Sequence, residues 1–324
     1  MILVTGATGF VGRAVVQRLL AEDTHRCTVA VRRVSHLWPQ RVPQHIVGDM
    51  GASTDWSSAL RGASCIVHCA ARVHVMDDQA ADPLAEFRRT NVAGTLALAR
   101  QAAAIGVRRF VFVSSIKVNG SQTIVHNPFR ADDVPMPADS YGISKWEAEQ
   151  GLREISAQAG MEVVIVRPPL VYGPGVKANF ATLVRWLRRG IPLPLGGIHN
   201  RRSLVGLDNL VDLLVRCVSH PAAAGQIFLV SDGEDISTTE LLCRIGQALG
   251  QPARLVPVPV IWLQMAAAVL GQRAVAQRLC DFLQVDIEKT REVLGWQPPV
   301  SLSQGLKQAV QGMYAKLEVP VSAQ

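Results

Sequence analysis

The amino-acid sequence predicts an α/β fold, namely a doubly wound parallel sheet with a smaller C-terminal α/β lobe. Short β-branched runs alternate with longer segments of helical spacing through the first half of the chain. These runs are almost continuously apolar, which is typical of parallel strands covered by helices on both faces. A glycine-rich turn also joins the first run to the first helical segment, where such folds form a ligand crevice.

The elements follow from these patterns in chain order. Runs rich in Val, Ile and Phe predict strands at 2–5, 27–31, 65–68, 109–113, 163–166 and 227–230. Apolar residues at helical spacing predict helices at 12–21, 56–60, 85–104, 141–159, 238–248, 260–270 and 275–283. Pro and Gly become dense after residue 168. We therefore expect a first domain at 1–168, with a return segment near 203–231, and a second lobe made mainly of 169–324.

The composition indicates a compact protein without a metal site or a disulfide framework. Of the 324 residues, 48% are hydrophobic and 18% are charged, which excludes a disordered chain. The six cysteines are scattered and none forms a CxxC pair. The net charge of +7 comes from 33 basic and 26 acidic residues, and no nucleic-acid-binding motif accompanies it. Scattered arginine pairs suit phosphorylated small molecules, so we do not expect nucleic acid as a partner.

The chain carries no visible signal for export or membrane insertion. Its N-terminus enters an apolar strand directly, with neither a basic flank nor a cleavage site. The longest apolar run, Val258 to Leu270, is interrupted by Pro259 and Gln264 and is too short to span a bilayer. We expect a cytoplasmic protein with no integral membrane segment, in which this run packs as a helix. Peripheral membrane contact is the alternative.

The glycine-rich turn predicts a dinucleotide site. Glycines at this strand–helix junction allow a tight turn, close approach of the backbone to a pyrophosphate, and close packing of helix on strand. The helix N-terminus then offers N–H groups and a positive dipole to the phosphates. Residues 1–168 are accordingly interpreted as a dinucleotide-binding Rossmann domain. The expected contacts are Gly6, Thr8, Gly9, Phe10, Val11 and Gly12.

The end of the second strand bears on the choice of dinucleotide. An acidic residue there would hold a ribose 2′-hydroxyl, but the chain has Arg32 and Arg33 instead. A guanidinium pair can bind a 2′-phosphate by charge-assisted hydrogen bonds, so NADP is favoured and NAD is possible. Two solvated surface arginines are the structural alternative.

Tyr141 and Lys145 lie four residues apart, on one face of a predicted helix. A tyrosine ordinarily titrates near ~10, and a neighbouring cation favours its phenolate form. The pair therefore predicts a tyrosine that exchanges protons near neutral pH.

These motifs, together with the run Val-Ser-Ser-Ile-Lys-Val-Asn-Gly at 113–120, resemble the extended short-chain dehydrogenase/reductase family. The resemblance extends over nearly the whole chain and is greatest to the nucleotide-sugar branch of 4-epimerases, 4,6-dehydratases and 4-ketoreductases. It implies that Ser115, Tyr141 and Lys145 are catalytic, with Ser115 and Tyr141 contacting the reacting oxygen and Lys145 contacting the nicotinamide ribose.

The resemblance also implies binding residues and an assembly. Besides the glycine turn, the arginine pair, Tyr141 and Lys145, the implied cofactor contacts are Asp49, Met50, Ala70, Ala71, Asn91 and Pro168. The implied substrate contacts are Ser115, Tyr172, Asn179 and Arg202, the last two at the diphosphate of a sugar nucleotide. A homodimer through helices 85–104 and 141–159 is also implied.

One departure from the family pattern reduces the number of candidate reactions. Dehydratases carry an Asp-Glu pair where this chain has Ile-Lys-Val-Asn at 116–119, so elimination of water is disfavoured. Lys117 itself is interpreted as a solvated loop lysine, with contact to a phosphate or substrate carbonyl as the alternative.

The arginine pair favours net reduction with NADPH. The main expectation is therefore reduction of a UDP-4-keto-6-deoxy-N-acetylhexosamine in bacterial surface-polysaccharide (O-antigen) synthesis. The first alternative is a UDP-glucose or UDP-N-acetylglucosamine 4-epimerase with tightly bound NAD, and the second is an NADPH-dependent reductase of a non-sugar carbonyl. A non-enzymatic NADP-binding regulator is disfavoured because Tyr141 and Lys145 are both present. Whether a nucleotide or a lipid diphosphate carries the sugar stays open.

Overall fold

A seven-stranded sheet lies at the centre of the computed structural model, which describes residues 1–22, 26–73, 82–176 and 179–314. The strands are β1 (Ile2–Thr5), β2 (Cys27–Val31), β3 (Gln44–Ile46), β4 (Cys65–His68), β5 (Arg109–Val113), β6 (Glu162–Arg167), β7 (Leu170–Tyr172), β8 (Arg202–Gly206), β9 (Ile227–Leu229) and β10 (Asp235–Ile236). The helices are α1 (Phe10–Glu22), α2 (Ser57–Leu60), α3 (Pro83–Phe87), α4 (Thr95–Ala104), α5 (Ser140–Ala159), α6 (Asn179–Arg188), α7 (Leu207–Ser219), α8 (Thr238–Ala248), α9 (Val260–Val269), α10 (Arg273–Cys280), α11 (Glu288–Leu294) and α12 (Leu302–Tyr314).

The strand order of the large sheet places the ligand crevice. The order is β3-β2-β1-β4-β5-β6-β9, and every neighbouring pair is parallel. The order reverses direction between β1 and β4, so a crevice opens at their carboxyl ends. The predicted doubly wound parallel sheet is therefore confirmed.

The sequence explains why this sheet is covered on both faces. All residues of β1, β2 and β4 are buried, although successive side chains of a strand point to opposite faces. Helix α1 packs with α7, and α4 packs with α5, which supplies the helical layers of this fold. The β-branched residues of the strands are thus buried among helices.

A second, smaller sheet and core form the C-terminal lobe. In this sheet β8 lies between β7, which is parallel to it, and β10, which is antiparallel. Tyr172, at the end of β7, is buried in a separate hydrophobic cluster with residues of α6, α8 and α12. The predicted return segment is divided between the sheets, because β8 belongs to the small sheet and β9 to the large one.

Most of the predicted elements occur with small changes at their ends. The six predicted strands correspond to β1, β2, β4, β5, β6 and β9. The helix predicted at 275–283 ends at Cys280, because Leu283 joins the small sheet through hydrogen bonds with Arg201 and Ser203. The helix predicted at 85–104 contains a π-helical segment, Arg88–Gly94, between α3 and α4.

Within the described ranges, none of the helices is long and apolar enough to cross a membrane. The same ranges contain no group of three His, Cys, Asp or Glu side chains that could hold a metal ion. All six cysteines are free thiols.

Candidate active site

The glycine turn after β1 brings backbone from three elements into close contact. Gly6 has φ +65°, and a Cβ atom there would lie 2.6 Å from the backbone nitrogen of Ala70, in the loop after β4. A Cβ atom on Gly12, in the first turn of α1, would lie 2.3 Å from the carbonyl oxygen of Gly6. Any side chain at these two positions would push the helix or the β4 loop away from the turn.

Gly9 differs from the other two glycines because the protein's own packing does not require it. A Cβ atom there would meet only the Gly6 carbonyl oxygen, at 3.1 Å. Thr8 and Gly9 are exposed at the start of α1, while Phe10 and Val11 are half-buried against the first core. Gly9 therefore leaves room for a group that approaches the helix N-terminus from outside, as a pyrophosphate would.

A buried histidine connects the two strands that border the crevice. The Nδ1 atom of His68, at the end of β4, lies 2.7 Å from Oγ1 of Thr5, and its Nε2 lies 3.0 Å from Oγ1 of Thr95. Burial, with a smaller effect of Lys145, lowers the pKa of His68 to about 3, so its ring is neutral. Ala70 donates its backbone N–H to Thr5 Oγ1 at 3.4 Å, which holds the predicted Ala70–Ala71 segment at the crevice.

Ser115 lies two residues after β5, at the carboxyl edge of the sheet. Its hydroxyl accepts the backbone N–H of Lys117 at 3.3 Å and caps the short 3₁₀ helix Ile116–Val118. Ile116 donates its own backbone N–H to the carbonyl oxygen of Pro168 at 3.0 Å. Pro168, a predicted cofactor contact, therefore holds the Ser115 turn through its backbone.

The N-terminal half of α5 places Tyr141 and Lys145 beside the Ser115 turn. Lys145 is 2% exposed, donates to the carbonyl oxygen of Val113 at 2.8 Å, and lies 4.5 Å from the centre of the Phe112 ring. Tyr141 is half-buried, and its ring meets that of Phe87 edge-to-face at 5.9 Å. Val113 is two residues before Ser115, and α5 packs against the 3₁₀ helix that Ser115 caps, so Lys145 and Ser115 lie at the same edge of the sheet, with Tyr141 one turn before Lys145.

The pKa values of the tyrosine and the lysine shift in directions that the sequence did not indicate. Burial, followed by the nearby Asp139 carboxylate, raises the pKa of Tyr141 above its ordinary value. Burial lowers the pKa of Lys145 to about 8, against an opposing effect of Glu149. We expected the cation to lower the pKa of the tyrosine, but desolvation and the Asp139 carboxylate raise it.

Asn91 connects the cofactor loop to α5. The π-helical segment aims its side chain so that Nδ2 donates to the Arg72 carbonyl and to Ser144 Oγ, each at 3.0 Å. Its Oδ1 accepts the backbone N–H of Arg72 at 2.8 Å. Ser144 Oγ in turn donates to the carbonyl oxygen of Tyr141 at 2.8 Å. These bonds hold the loop after β4 against α5, and the cofactor contact implied for Asn91 stays a prediction.

A buried polar network below the site was not found from the sequence. Glu149, one turn after Lys145, accepts hydrogen bonds from Ser114 Oγ at 2.5 Å and from Arg167 Nε at 3.0 Å and Nη2 at 2.5 Å. Arg167 also donates to Asn119 Oδ1 at 3.0 Å. The side chains of Glu149 and Arg167 are 0% and 1% exposed. An acidic residue four positions after Lys145 and an arginine at the end of a strand were the only signals available.

The residues predicted to bind the adenosine half lie at the edge of the crevice. Arg32 Nη1 lies 3.5 Å from Asp49 Oδ1, and both side chains are largely exposed. Arg33 is exposed and Met50 packs partly against the first core. An exposed pair at this distance contributes little to stability, so Arg32 keeps its ability to reorient toward a ligand.

The predicted substrate contacts fit less well. Tyr172 is 1% exposed, and its hydroxyl donates to Asp232 Oδ2 at 2.6 Å. Its side chain is therefore part of the second core and does not face the crevice as a substrate contact would, so this prediction is wrong. Arg202 is half-buried and donates to the Asp281 carbonyl at 2.9 Å. Burial lowers its pKa, against the opposing Asp281 carboxylate. Asn179 begins α6, but its side chain lies outside the described part of the structure.

Lys117 is neither a free loop lysine nor a group aimed at a ligand. Its Nζ forms an ion pair with Asp139 Oδ2, and Asp139 Oδ1 accepts the N–H of Gly142 at 2.7 Å as the N-cap of α5. This pair fixes the Ser115 turn against the start of the helix that carries Tyr141.

The arrangement fits a nicotinamide dinucleotide. The exposed N-terminus of α1 at Gly9 would hold a pyrophosphate, and the β4 loop at Ala70 and Ala71 borders the same crevice. The buried cation of Lys145 and the hydroxyl of Ser115 lie at the carboxyl edge of β5, where the reacting end of such a cofactor would be placed, and Tyr141 lies one turn before Lys145 on α5.

Comparisons with known proteins show what this chain is similar to. The chain is 49% identical over 311 residues to the UDP-glucose 4-epimerase of Vibrio cholerae, covering 96% of this chain and 94% of that protein. Among solved structures it resembles the UDP-glucuronic acid 4-epimerase from Bacillus cereus in complex with NAD, with TM-score 0.78 and 19% identity over 97% of this chain and 99% of that one. It also resembles the UDP-glucose 4-epimerase of Thermotoga maritima with UDP-glucose, with TM-score 0.77 and 23% identity over 98% and 99% of the two chains.

The identity of the two solved structures to this chain is low, so their similarity supports the fold alone. The NAD dependent epimerase/dehydratase family matches residues 2–231, which include the glycine turn, Ser115, Tyr141 and Lys145. This chain belongs to the NAD dependent epimerase/dehydratase family.

Proposed function

We propose that this protein is a UDP-hexose 4-epimerase that interconverts UDP-glucose and UDP-galactose with a tightly held NAD. The observation that carries the proposal is the near full-length similarity to the Vibrio cholerae UDP-glucose 4-epimerase, in a chain whose Ser115, Tyr141 and Lys145 lie together. This was the alternative in the sequence interpretation, and the similarity favours it over net reduction of a 4-keto sugar.

NAD is the proposed cofactor. The support is the presence of NAD in the similar epimerase structure and the position of Arg32, which lies 3.5 Å from the Asp49 carboxylate. A 2′-phosphate bound by Arg32 would be repelled by that carboxylate, whereas a 2′-hydroxyl could donate a hydrogen bond to it. The arginine pair is the feature of the sequence that favours NADP. Its charge is partly neutralised by Asp49, 17 residues after Arg32.

Epimerisation at C4 requires one oxidation and one reduction at opposite faces of the same carbon. Bound NAD supplies the reversible transfer of hydride at C4, and its oxidised ring adds positive charge to the site. Tyr141 takes the proton from the C4 hydroxyl. It returns the proton after the 4-keto sugar has rotated to present the opposite face of C4. Ser115 donates a hydrogen bond to the same oxygen and stabilises its developing charge. Lys145, held by Val113 and Phe112, supplies the nearby cation that favours the tyrosine phenolate.

The second candidate is the 4-ketoreductase acting on a UDP-4-keto-6-deoxy-N-acetylhexosamine. It is favoured by one observation, namely that Arg32 and Arg33 follow β2 without an acidic residue at its end. Such an enzyme would exchange its cofactor in every turnover and would consume NADPH.

A nucleotide-release and turnover experiment separates the two candidates. The purified protein is denatured, the released nucleotide is identified by mass spectrometry, and the native protein is given UDP-glucose without added cofactor. The expected result is stoichiometric NAD and formation of UDP-galactose. Tyr141→Phe should retain NAD and lose conversion by about 100-fold or more, because the proton acceptor is missing.

The opposite pattern would overturn the proposal. In that case the protein arrives without nucleotide, leaves UDP-glucose unchanged, and consumes NADPH when given the 4-keto sugar. Retained NADP with NADPH-dependent reduction of the 4-keto sugar would lead to the same conclusion.

A further inference from the structure

Helix α9 is apolar but is not buried. Its sequence contains one polar residue, Gln264, and none of its ten residues is buried. A helix that is apolar around its whole circumference is ordinarily enclosed by protein or by lipid. The outward side chains are unusually exposed for their size, at 60% for Ile261, 62% for Trp262, 56% for Met265 and 88% for Val269.

The exposed side chains share one face. Val260 and Leu263 pack against the second core and fix the orientation of the helix. Ile261, Met265 and Val269 are spaced by four residues and therefore form a row on the helix surface. Leu270, the C-cap residue that follows Val269, is 73% exposed. The face turned away from the core is thus a continuous apolar strip, where an ordinary surface helix would carry polar residues.

Basic residues flank this strip without acidic ones. Residues 241–280 contain no Asp or Glu. Arg254 lies in the segment that leads into α9, and Arg273 begins α10, which packs against α9. Both arginines are exposed, and so is Val275, at 43%. An apolar strip with a tryptophan at its edge and exposed arginines before and after it in the chain is complementary to acyl chains below anionic headgroups.

We propose that α9 is a docking face for the surface of an anionic lipid bilayer. Ten residues rise about 15 Å, half the ~30 Å of a bilayer's hydrocarbon core, so the helix would lie in the interface plane. A second copy of the chain is a poorer occupant, because a two-fold contact through this strip would bring the arginines of both copies together. This inference does not depend on the proposed function. The docking face consists of Ile261, Trp262, Met265, Val269 and Leu270, flanked by Arg254 and Arg273.

Vesicle co-sedimentation tests the docking face. The full chain is mixed with vesicles of phosphatidylcholine alone or with phosphatidylglycerol added, at low and high salt. Binding is expected with the anionic vesicles and should weaken as salt rises, because screening reduces the attraction of arginines to headgroups. The double variant Ile261→Ser/Trp262→Ser should bind at least tenfold more weakly. Arg254→Gln/Arg273→Gln should weaken binding to anionic vesicles and abolish most of the salt dependence.

Ile105→Ser is the matched control. Ile105 is 56% exposed and follows α4, outside the C-terminal lobe. This variant should bind vesicles as the native chain does, and all the variants should unfold at the native Tm, because each replaces only exposed side chains. Failure of the native chain to bind anionic vesicles, or equal binding by the Ile261/Trp262 variant, would overturn the proposal. A concentration-dependent dimer that is lost in this variant, without any vesicle binding, would identify a second copy as the occupant instead.

Discussion

Lys145 combines a functional position with an unfavourable environment for its charge. The side chain is 2% exposed, and burial lowers its pKa from 10.5 to about 8. A shift of this size corresponds to on the order of 3 kcal/mol of lost stability for the charged form. One hydrogen bond to Val113 and the Phe112 ring face offset part of that loss. The site therefore keeps its cation at the expense of stability, as functional sites commonly do.

Lys145→Met should stabilise the protein at neutral pH and abolish activity. Removing the buried charge should raise the free energy of unfolding. This gain exceeds the roughly 1–2 kcal/mol of stability lost when the Val113 carbonyl is left without its hydrogen-bond donor. Between the folded pKa of about 8 and the unfolded value of 10.5, the native protein loses its bound proton first. The unfolded state then binds more protons, so the native stability rises with pH and the advantage of the variant shrinks. Urea unfolding at several pH values measures this difference.

Lys307→Met provides the control for the lysine variant. Lys307 is exposed on α12, so its replacement should change the free energy of unfolding little and without a trend over the same pH range. A Lys145→Met advantage that stays constant from neutral to alkaline pH would contradict the assignment of a buried, titrating ammonium.

Tyr141 is kept protonated in the protein alone by burial and by Asp139. Asp139→Asn should lower the pKa of Tyr141, because it removes the negative charge that opposes the phenolate. Asparagine is as good an N-cap as aspartate, so the start of α5 should be retained. The measurement is the tyrosinate absorbance against pH, with Asp139→Asn/Tyr141→Phe subtracted, in a chain with only three tyrosines. A titration curve that coincides with that of the native protein would show that the carboxylate does not act on the phenol.

The sequence patterns indicate the candidate catalytic residues more clearly than they indicate the residues that hold them in place. Ser115, Tyr141 and Lys145 belong to short motifs whose spacing is visible along the chain. The partners of these residues come from elsewhere, since Asp139 reaches Lys117 and Glu149 reaches Ser114 only after folding. Tyr172 was misassigned because its motif is visible while its buried partner Asp232, 60 residues later, is not.

At the scale of elements, a buried ion pair joins α5, β6 and the end of β5. Glu149 on α5 accepts hydrogen bonds from Ser114 after β5 and from Arg167 at the end of β6. Arg167 extends the connection to Asn119 after the Ser115 turn. These bonds fix the register between the helix that carries Tyr141 and the strand that carries Ser115, which a catalytic constellation requires.

Glu149→Gln should destabilise the protein by about 3–5 kcal/mol, because Arg167 would remain charged and buried without its partner. It should also lower the pKa of Lys145, since Glu149 is one of the groups that raise it. The double variant Glu149→Gln/Arg167→Met should recover part of the lost stability, because the unpaired charge is removed. Urea unfolding of the native protein, both single variants and the double variant measures the coupling. Strictly additive losses would show that the two side chains do not interact.

The missing elements of the sequence interpretation have two different causes. Strands β3, β7 and β10 have two or three residues, too few to show an alternating pattern, and tertiary pairing alone defines them. Helices α6, α7 and α12 have apolar residues that recur at helical spacing, so their sequences do indicate them. Strand β8 and the short helix α11 are also absent from the prediction. The π-helical segment Arg88–Gly94 leaves no signal in a pattern of period 3.6.

At the scale of the whole molecule, two hydrophobic cores share the chain. The first lies around the large sheet and the second around Tyr172 and α12. The domain boundary expected near residue 168 stays a prediction; β7, which begins two residues later, belongs to the small sheet. The expected homodimer through helices 85–104 and 141–159 stays a prediction, and light scattering of the purified protein is the measurement that tests it.

Nucleotide binding should stabilise the whole first domain, because the crevice joins α1, the β4 loop and α5. A ligand at 100 times its Kd stabilises the folded state by about 2.7 kcal/mol, which raises the Tm of a domain of this size by roughly 5 °C or more. NAD added to nucleotide-depleted protein should produce this rise, and NADP should produce a smaller one.

Gly9→Ala tests whether the rise in Tm depends on nucleotide bound at the N-terminus of α1. The added methyl group would lie 3.1 Å from the Gly6 carbonyl oxygen, which must shift by a few tenths of an ångström, so the Tm without nucleotide should fall by less than in Gly12→Ala. The same methyl group would occupy the place where the pyrophosphate approaches the N-terminus of α1, so the rise with NAD should largely disappear. Gly12→Ala should lower the Tm without nucleotide more strongly, because its Cβ atom would lie 2.3 Å from the Gly6 carbonyl oxygen. A full NAD-induced rise in Gly9→Ala would place the dinucleotide elsewhere on the molecule.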